Sequence, residues 1–249
     1  MAETHLPLNV SKIATAYGNN IIFEDLSLSM RAGEAFGLIG LNGAGKTTLI
    51  RSILGLRSAS GTIELFGKPN TQPQARRNLI YLPEKFQPSP QLSGWEYLSI
   101  LLDYFGQNVD KNTARTIAAG LDLDPKALDR KARTYSKGMG QKLGLVGAFL
   151  VEAPLMILDE PMSGLDPRAR VLLKDRLNEA QKSGRSIFFS SHILADIEEI
   201  CDRIGVLHGG RIIFDGTPHD FVARYSAQSL ERAFLLSLED TGKHADSAA

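Results

Sequence analysis

The sequence is poor in cysteine: Cys201 is the single one in 249 residues. One cysteine excludes an internal disulfide, and this agrees with folding in a reducing compartment. We interpret Cys201 as a small residue of the hydrophobic core rather than as a reactive thiol, because unpaired cysteines are among the residues most often buried.

Long apolar runs and an excess of charge of either sign are also missing. No run of about eighteen apolar residues occurs, so we expect no membrane-spanning helix. Residues 1–5 lack the basic region and apolar core of a signal peptide. Lysine and arginine together number 28, as do aspartate and glutamate, which gives no support for broad nucleic-acid binding. We therefore expect a soluble, cytoplasmic protein whose role at any membrane depends on a partner.

Hydrophobic residues make up 43% of the sequence and charged residues 22%, values that are ordinary for a globular protein with a sizeable core. Residues 1–84 and 151–225 contain the strand-like patterns, with a strand, loop and helix over 36–56, whereas residues 85–150 have helical patterning. We expect a single domain over residues 1–249, in which an α/β core is interrupted by the helical segment. Residues 226–249 are expected to form a C-terminal helix, over 229–238, and a flexible tail from Thr241.

Local patterns predict several individual elements. Ser93 and Glu96 match a capping box at the start of a helix. The apolar residues that follow at spacings of three or four are Trp95, Leu98, Leu102 and Phe105. We interpret them as a packing face rather than a cofactor site. The runs 155–158 and 186–191 predict strands of a parallel sheet, and 203–214 predicts a hairpin turning at Gly209-Gly210.

The most informative segment is Gly40-Leu41-Asn42-Gly43-Ala44-Gly45-Lys46-Thr47-Thr48, which matches the pattern G-x-x-x-x-G-K-[ST]. It follows a predicted strand, and Thr47 and Thr48 can open a helix. Glycines let backbone N–H groups converge on a polyphosphate, which a helix N-terminus also favours. Lys46 can reach the terminal phosphates and the Thr47 hydroxyl can bind Mg²⁺. The alternative, a glycine-rich turn that binds nothing, is disfavoured by the strand–loop–helix context, so we predict nucleoside triphosphate binding.

Two adjacent carboxylates, Asp159 and Glu160, follow the apolar run 155–158. Ligands of open α/β sheets bind at the carboxyl ends of strands. Asp159 is expected to hold Mg²⁺, directly or through water, and Glu160 to polarise an attacking water. By itself the pattern also fits a strand that ends in a solvated acidic turn, but its place downstream of a phosphate loop favours the site.

His192 follows the strand-like run 186–191. A histidine there can donate a hydrogen bond to a γ-phosphate, although a lone histidine at a strand end is more often structural. The order phosphate loop, Asp-Glu and strand-His favours the functional interpretation.

In this order the motifs resemble those of the ATP-binding subunits of ATP-binding cassette (ABC) transporters, over residues ~8–220. Tyr135-Ser136-Lys137-Gly138-Met139 stands where that family has its signature motif, usually Leu-Ser-Gly-Gly-Gln. Ser163-Gly164-Leu165-Asp166 matches the family's D-loop. Tyr17 stands where an aromatic ring stacks on adenine, and Glu84 where the Q-loop glutamine is usual.

The resemblance implies a fold with a P-loop core, a mostly parallel sheet, an antiparallel β subdomain and an inserted helical subdomain. It also implies hydrolysis of ATP with Mg²⁺, with Lys46, Glu160 and His192 as catalytic residues. The expected metal-binding residues are Thr47, Asp159 and Glu84. The remaining nucleotide contacts are expected from Tyr17, residues 40–48, Ser136, Gly138 and Asp166.

The resemblance further implies a head-to-tail dimer with a second copy, or with a homologous ATPase subunit. Each ATP would lie between the phosphate loop of one subunit and Ser136 and Gly138 of the other, where a helix N-terminus favours a γ-phosphate. Asp166 would couple the two sites.

Two departures from the family pattern bear on activity. Lys137 replaces the first signature glycine and Met139 the glutamine, while Ser136 and Gly138 remain. Glu84 adds a negative charge beside a triphosphate, which predicts reduced or tightly gated turnover. The variant signature and Tyr-Leu-Pro-Glu at 81–84 resemble a bacterial subset that works mostly as exporters.

We therefore expect an ATPase subunit that powers an exporter through a separate integral-membrane permease, at the inner face of the cell membrane. The alternative is a soluble ABC ATPase that regulates or remodels a complex without moving a solute. A GTPase is disfavoured because no Asn-Lys-x-Asp motif occurs. No nucleic-acid partner is expected, and no residue identifies a transported substance.

Overall fold

A computed structural model describes residues 5–246, with the side chains described as far as residue 240. The strands are β1 (Leu8–Tyr17), β2 (Asn20–Met30), β3 (Ala35–Ile39), β4 (Ser60–Leu65), β5 (Lys68–Pro69), β6 (Leu79–Leu82), β7 (Leu155–Asp159), β8 (Ser186–Ser191), β9 (Arg203–His208) and β10 (Arg211–Gly216). The α-helices are α1 (Lys46–Ile53), α2 (Gly94–Tyr104), α3 (Lys111–Gly120), α4 (Lys137–Leu150), α5 (Pro167–Lys182), α6 (Leu194–Ile200), α7 (Pro218–Arg224) and α8 (Leu230–Asp246). Short 3₁₀ turns cover Pro73–Asn78, Pro125–Asp129 and Ala132–Thr134.

The chain forms two compact units, and the division between them falls inside β8. The first unit contains the residues up to 75 and from 190 onward, and the second contains residues 76–189. Each unit is described by itself below.

The first unit contains an antiparallel sheet with the strand order β2-β1-β4-β5. Leu26, Leu28 and Met30 of β2 are buried, as the alternating pattern predicted. The same unit contributes β10, β9 and β3 to a second sheet, with β3 parallel to β9 and β9 antiparallel to β10. The predicted hairpin is confirmed, since β9 and β10 are joined at Gly209-Gly210.

Strand β3 is buried along its whole length, as expected for an apolar run in a parallel sheet. A Cβ atom at Gly37 in its centre would lie 2.6 Å from the Sγ atom of Cys201, so only glycine fits there. Cys201 follows α6 and is buried, and burial raises the pKa of its thiol well above the usual value. The interpretation of Cys201 as a core residue is confirmed.

The second unit pairs β6 and β7 in parallel, with Leu79 opposite Leu155. Every residue of β7 is buried. Between these strands the chain forms α2, α3 and α4, as the helical patterning of this segment predicted. Helix α4 is the most deeply buried of them, and Arg185 donates hydrogen bonds to carbonyl oxygens at its carboxyl end, including those of Ala148 and Val151 at 3.2 and 3.0 Å. Arg185 therefore caps the carboxyl end of α4, where the last carbonyl groups have no hydrogen-bond partner within the helix.

The predicted capping box of α2 is confirmed. The amide of Glu96 donates to the Ser93 hydroxyl at 3.2 Å, and the amide of Ser93 donates to the Glu96 carboxylate at 2.6 Å. This backbone hydrogen bond, together with the ammonium of Lys131, lowers the pKa of Glu96 to about 2. The predicted packing face is only partly internal: Leu98 and Leu102 are buried, whereas Trp95 and Phe105 are half-buried.

Helix α8 differs from the prediction in length. It runs from Leu230 to Asp246, whereas the predicted helix covered 229–238. Residues 241–246 of the predicted tail therefore have a helical backbone, and residues 247–249 lie outside the described residues. Among the residues that the structure describes, no helix combines the length and hydropathy needed to cross a membrane.

Candidate functional site

The phosphate loop connects β3 to α1, and its backbone requires glycine at defined positions. Gly43 and Gly45 have φ angles of 83° and 105°, in the left-handed region that favours glycine. A Cβ atom at Gly45 would also lie 2.8 Å from the ring of Phe23. The loop can therefore adopt this backbone conformation only with glycine at these positions. Helix α1 begins directly after the second of them.

The N-terminus of α1 carries no capping side chain. Its N-cap is Gly45, which makes no side-chain cap hydrogen bond, and the first turn contains no acidic residue. The first amides of a helix point outward and have no partner within the helix. This end of α1 therefore fits an anionic group such as a phosphate.

Lys46 begins α1 and is only 7% exposed. Its ammonium group donates to the carbonyl oxygens of Gly40 and Leu41, at 2.8 and 3.4 Å. The side chain is thus folded back over the loop, where a polyphosphate held by the loop amides would meet it. Thr47, the next residue, is half-buried in the first turn of the helix.

A cavity of about 350 Å³ lies beside the loop. Three segments of the first unit line it: residues 20–22 at the start of β2, residues 41–44 of the loop, and residues 208–210 at the end of β9 and in the turn to β10. A larger cavity of about 830 Å³ in the second unit is lined by none of the predicted site residues.

Tyr17 ends β1, and 46% of its surface is exposed. The hydroxyl of Thr48 donates to the phenolic oxygen, which lowers the pKa of Tyr17 below its usual value. Tyr17 and the first turn of α1 are therefore neighbours, although 31 positions separate Tyr17 from Thr48. The guanidinium of Arg57 lies over the ring of Tyr17.

His192 follows β8 directly and is exposed, in a short bend before α6. The hydroxyl of the preceding Ser191 accepts a hydrogen bond from the amide of Ile193 at 3.0 Å, which shapes this bend.

The two predicted carboxylates stand at the carboxyl end of β7 in the second unit. Asp159 is the last residue of the strand and is 1% exposed, and Glu160 is 8% exposed. Glu160 has a φ angle of 49°, in the left-handed region that residues other than glycine rarely adopt. A hydrogen bond of 3.0 Å from the amide of Ser163 to its carbonyl closes the turn. Such strained backbone is concentrated at functional sites, which supports the interpretation of Glu160.

The structure brings the signature segment and the D-loop together. Ser136 is the N-cap of α4 and accepts a hydrogen bond from the amide of Met139 at 3.2 Å. A Cβ atom at Gly138 would lie 3.4 Å from the carbonyl oxygen of Gly164 in the D-loop. The two segments therefore pack closely, and a larger residue at Gly138 would press on the D-loop.

Asp166 is the N-cap of α5. A hydrogen bond from the amide of Ala169 at 2.9 Å lowers the pKa of Asp166, and the ammonium of Lys142 lowers it further. Lys142 is a buried cation of α4 that lies 3.4 Å from Asp166 and 3.0 Å from Asp122. The sequence did not indicate these two contacts of Lys142, because no local pattern pairs residues 122, 142 and 166.

Glu84 lies in a turn just after β6 and is half-buried. Two residues later, the ring of Phe86 packs on Tyr97 of α2, with the ring centroids 5.3 Å apart. The turn that carries Glu84 is therefore attached to the helical part of the second unit.

The predicted site residues fall into two sets, one in each unit. The first unit holds Tyr17, residues 40–48 and His192, and the second holds Glu84, Ser136, Gly138, Asp159, Glu160 and Asp166. Contacts within a set join Tyr17 to Thr48 and Gly138 to the D-loop.

The donor atoms fit ATP with Mg²⁺. In the first unit the loop amides and Lys46 suit phosphate oxygens, and the Thr47 hydroxyl is an oxygen donor of the kind that Mg²⁺ accepts. In the second unit the Asp159 carboxylate is also such a donor. Over the described part of the chain, no group of three or more His, Cys, Asp or Glu side chains could hold a metal ion. Magnesium commonly needs no such cage, since one or two protein ligands, water and substrate phosphates complete its shell.

Comparison with protein families finds the ABC transporter family, whose model matches residues 23–163. The matched region contains the phosphate loop, the variant signature and the two carboxylates. The chain belongs to the ABC transporter family.

Two relatives show how similar the chain is to other members of the family. An uncharacterised ABC transporter ATP-binding protein of Synechocystis is 41% identical over 197 residues, which are 77% of this chain and 55% of that protein. The Nod factor export ATP-binding protein I of Cupriavidus pinatubonensis is 37% identical over 221 residues, covering 86% of this chain and 67% of that protein. This chain therefore spans between about half and two thirds of the length of these relatives.

Solved structures of the family share the fold. The ATP-binding subunit of an ABC transporter superposes with a TM-score of 0.84 at 34% identity, covering 92% of this chain and 98% of that one. A dimeric ATP-binding cassette solved in a post-hydrolysis state with ADP and phosphate gives 0.77 at 18% identity, covering 84% and 98%. The predicted fold class is confirmed: an ABC ATPase fold with an antiparallel sheet, a sheet rich in parallel pairs, and helices.

Proposed function

We propose that this chain is the ATP-hydrolysing subunit of an ABC transporter and that it powers export through a separate integral-membrane permease. The observation that carries the proposal is the phosphate loop: an uncapped helix N-terminus, positive φ angles at two glycines, and the buried Lys46 folded over the loop. Membership of the family supports the same activity.

In this proposal the residues of the first unit bind the nucleotide. The loop amides and Lys46 hold the β- and γ-phosphates, and Thr47 supplies a hydroxyl to the metal. Tyr17 stacks on the base, and His192 donates a hydrogen bond to the γ-phosphate. Bound Mg²⁺ would neutralise charge on the β- and γ-phosphate oxygens.

The residues of the second unit supply the metal ligand and the water-activating group. Asp159 binds the metal, directly or through water, and Glu160 accepts a hydrogen bond from the attacking water and so orients it. Glu84 takes the place of the glutamine that is usual in the family and acts on the metal or on this water. Its negative charge beside the phosphates lowers turnover.

A second copy of the chain, or a homologous ATPase subunit, completes the site in this proposal. Ser136 and Gly138 of one copy present the N-terminus of α4 to the nucleotide on the other copy. Asp166 couples the two sites, and its contact with Lys142 supports this role because it joins the D-loop to the signature helix. The relatives named as export ATP-binding proteins support export as the direction of transport, and a place at the inner face of the membrane follows from the permease.

Nucleotide binding tests the central step. Lys46→Ala removes the buried ammonium, so we expect the Kd for ATP to rise by about 10- to 100-fold, since charge-assisted hydrogen bonds are the strong ones. Calorimetric titration and phosphate-release assays measure binding and hydrolysis. Lys68→Ala, which removes an exposed lysine of β5, is the matched control and should behave like the wild type. Equal ATP affinity in Lys46→Ala and the wild type would contradict the phosphate-loop assignment.

Isolation of the protein with its partners tests the transport role. A co-purifying protein with several apolar spans of about 20 residues supports the permease. Co-purification of exclusively soluble partners, with ATPase activity intact, would instead favour an ATPase that regulates or remodels a complex.

A further inference from the structure

Arg57 makes a contact that the nucleotide chemistry above does not use. The Cζ atom of its guanidinium lies 3.5 Å from the centroid of the Tyr17 ring, which is van der Waals contact with one face of the ring. A guanidinium is planar and stacks on aromatic rings, whereas an ammonium does not. One face of Tyr17 is therefore already covered in this structure.

The guanidinium is anchored to the strand that carries Tyr17. Its Nε atom donates to the hydroxyl of Thr15 at 3.2 Å, and a terminal nitrogen donates to the carbonyl oxygen of Ala16. Both acceptors lie in the two residues that precede Tyr17 in β1. Arg57 therefore keeps its position relative to the ring, because the same backbone segment holds both groups.

Tyr17 is thus held at two points. Arg57 covers one face of the ring, and the hydroxyl contacts Thr48 and Arg51 of α1. Even so, 46% of the residue remains exposed. Since the guanidinium is in contact with one face of the ring, a base that stacks on Tyr17 without displacing Arg57 has to use the opposite face.

We propose that Arg57 is a positioning residue for the base of the bound nucleotide. It contacts one face of the Tyr17 ring and holds the ring in place, so that the base stacks on the opposite face. The inference rests on the proposed function, because it assumes that Tyr17 meets the base. A cation on one face withdraws electron density from the ring and favours an electron-rich base on the other. Arg57 itself touches the ring and not the base, so its effect depends on Tyr17.

The test separates base recognition from phosphate binding by using two probes on the full chain. Calorimetry measures the Kd of ATP and the Kd of inorganic tripolyphosphate, which has no base, for the wild type and for Arg57→Ala and Arg57→Lys. Arg57→Ala should weaken ATP binding about two- to fivefold, as expected for loss of an exposed cation–π contact, and should leave tripolyphosphate binding unchanged. Arg57→Lys keeps the charge without the planar face and should lie between the wild type and Arg57→Ala.

Two further variants calibrate the result. Tyr17→Ala should weaken ATP binding by about fivefold or more and also spare tripolyphosphate, because base–aromatic stacking is lost. Adding Arg57→Ala to Tyr17→Ala should then have little further effect, which a general structural role of Arg57 would not produce. Arg211→Ala removes another exposed arginine of the first unit and should match the wild type with both probes.

If the wild type binds ATP, three results for the variants would overturn the proposal. Unchanged ATP affinity in Arg57→Ala would show that the Tyr17 ring binds the base equally well without the contact to Arg57. Tighter ATP binding would show that Arg57 occupies the face that the base uses. Equal weakening of ATP and tripolyphosphate would show that Arg57 acts on the phosphates through its charge. If Arg57→Ala does not fold, the comparison of Arg57→Lys with the wild type decides the question. A wild-type protein that binds no ATP would overturn the proposed function itself, and the role of Arg57 with it.

Discussion

Glu84 is the residue at which this chain departs most from its family in the proposed chemistry. It lies in the turn after β6, half-buried, next to a segment that Phe86 attaches to α2. A carboxylate can bind a metal or a water as the usual glutamine does, but it adds a negative charge that a triphosphate disfavours. In the proposed mechanism we therefore expect Glu84 to limit turnover without being required for it.

Replacement of Glu84 by glutamine tests this argument. We expect Glu84→Gln to retain ATPase turnover or to raise it by up to about tenfold, which corresponds to about 1.4 kcal/mol of transition-state free energy. Phosphate release at saturating ATP measures the change, and Glu152→Gln serves as a control that removes the same charge from an exposed position of the second unit. Complete loss of activity in Glu84→Gln would mean that the glutamate has a catalytic role of its own.

At the same scale, Glu160 illustrates how a backbone observation adds to a sequence motif. The adjacent carboxylates could be recognised from the sequence, because an apolar run followed by Asp-Glu is a contiguous pattern. The left-handed φ angle of Glu160 could not, since this conformation is imposed by the turn to Ser163. A strained conformation of this kind costs about 1 to 3 kcal/mol, so its presence at this residue supports a functional role.

At the scale of the element, the α2 helix shows that a short motif can specify a helix end. Ser93 and Glu96 satisfy each other's backbone amides, and Lys131 pairs with Glu96 at 2.9 Å. The contacts between Ser93 and Glu96 span three residues, so they can be predicted from the sequence. The ion pair with Lys131, 35 positions away, was not predicted.

Loss of this cap should lower the stability of the protein. Ser93→Ala is expected to reduce the free energy of unfolding by about 1 kcal/mol, within a range of roughly 0.5 to 2 kcal/mol. Urea denaturation followed by circular dichroism measures it. Ser99→Ala, at an exposed position inside the same helix, should change the free energy by less than about 0.5 kcal/mol, so a similar loss in both variants would exclude the capping explanation.

Helix α8 shows where local patterns fail at this scale. Its apolar residues, such as Leu230, Ala233 and Phe234, mark the helix, and they gave the prediction that ended at 238. The helix continues to Asp246 through polar residues, which carry no apolar periodicity. The end of a helix without a recognisable C-cap cannot be placed from periodicity alone.

At the scale of the whole molecule, the proposed mechanism needs two copies of the chain around each nucleotide. The uncapped N-terminus of α1 and the Ser136-capped N-terminus of α4 both favour anions, and each belongs to a different unit. In the proposed dimer each copy contributes one of them to every ATP. Hydrolysis would then remove the γ-phosphate that both copies contact.

A variant that binds ATP without hydrolysing it should therefore accumulate as a dimer. Glu160→Gln is expected to abolish phosphate release while ATP binding is retained, and size-exclusion chromatography with light scattering should then show a dimer in the presence of ATP. Glu160→Gln combined with Lys46→Ala is the matched control. At an ATP concentration that saturates Glu160→Gln but lies below the raised Kd of the double variant, it should remain monomeric because it binds little nucleotide. Exclusively monomers for Glu160→Gln at saturating ATP would contradict the dimer.

The sequence by itself determined the features that depend on neighbouring residues: the phosphate loop from Gly40 to Thr48, the strand over 155–158, the capping box of α2 and the hairpin of β9 and β10. Each of these is a contiguous pattern whose physics acts over a few residues. Tertiary structure alone decided the pairs that lie far apart in the chain, such as Arg57 over Tyr17, Lys142 against Asp166 and Cys201 against Gly37. Such contacts leave no periodicity in the sequence, because they arise only when packing of the strands and helices brings distant side chains within a few ångströms.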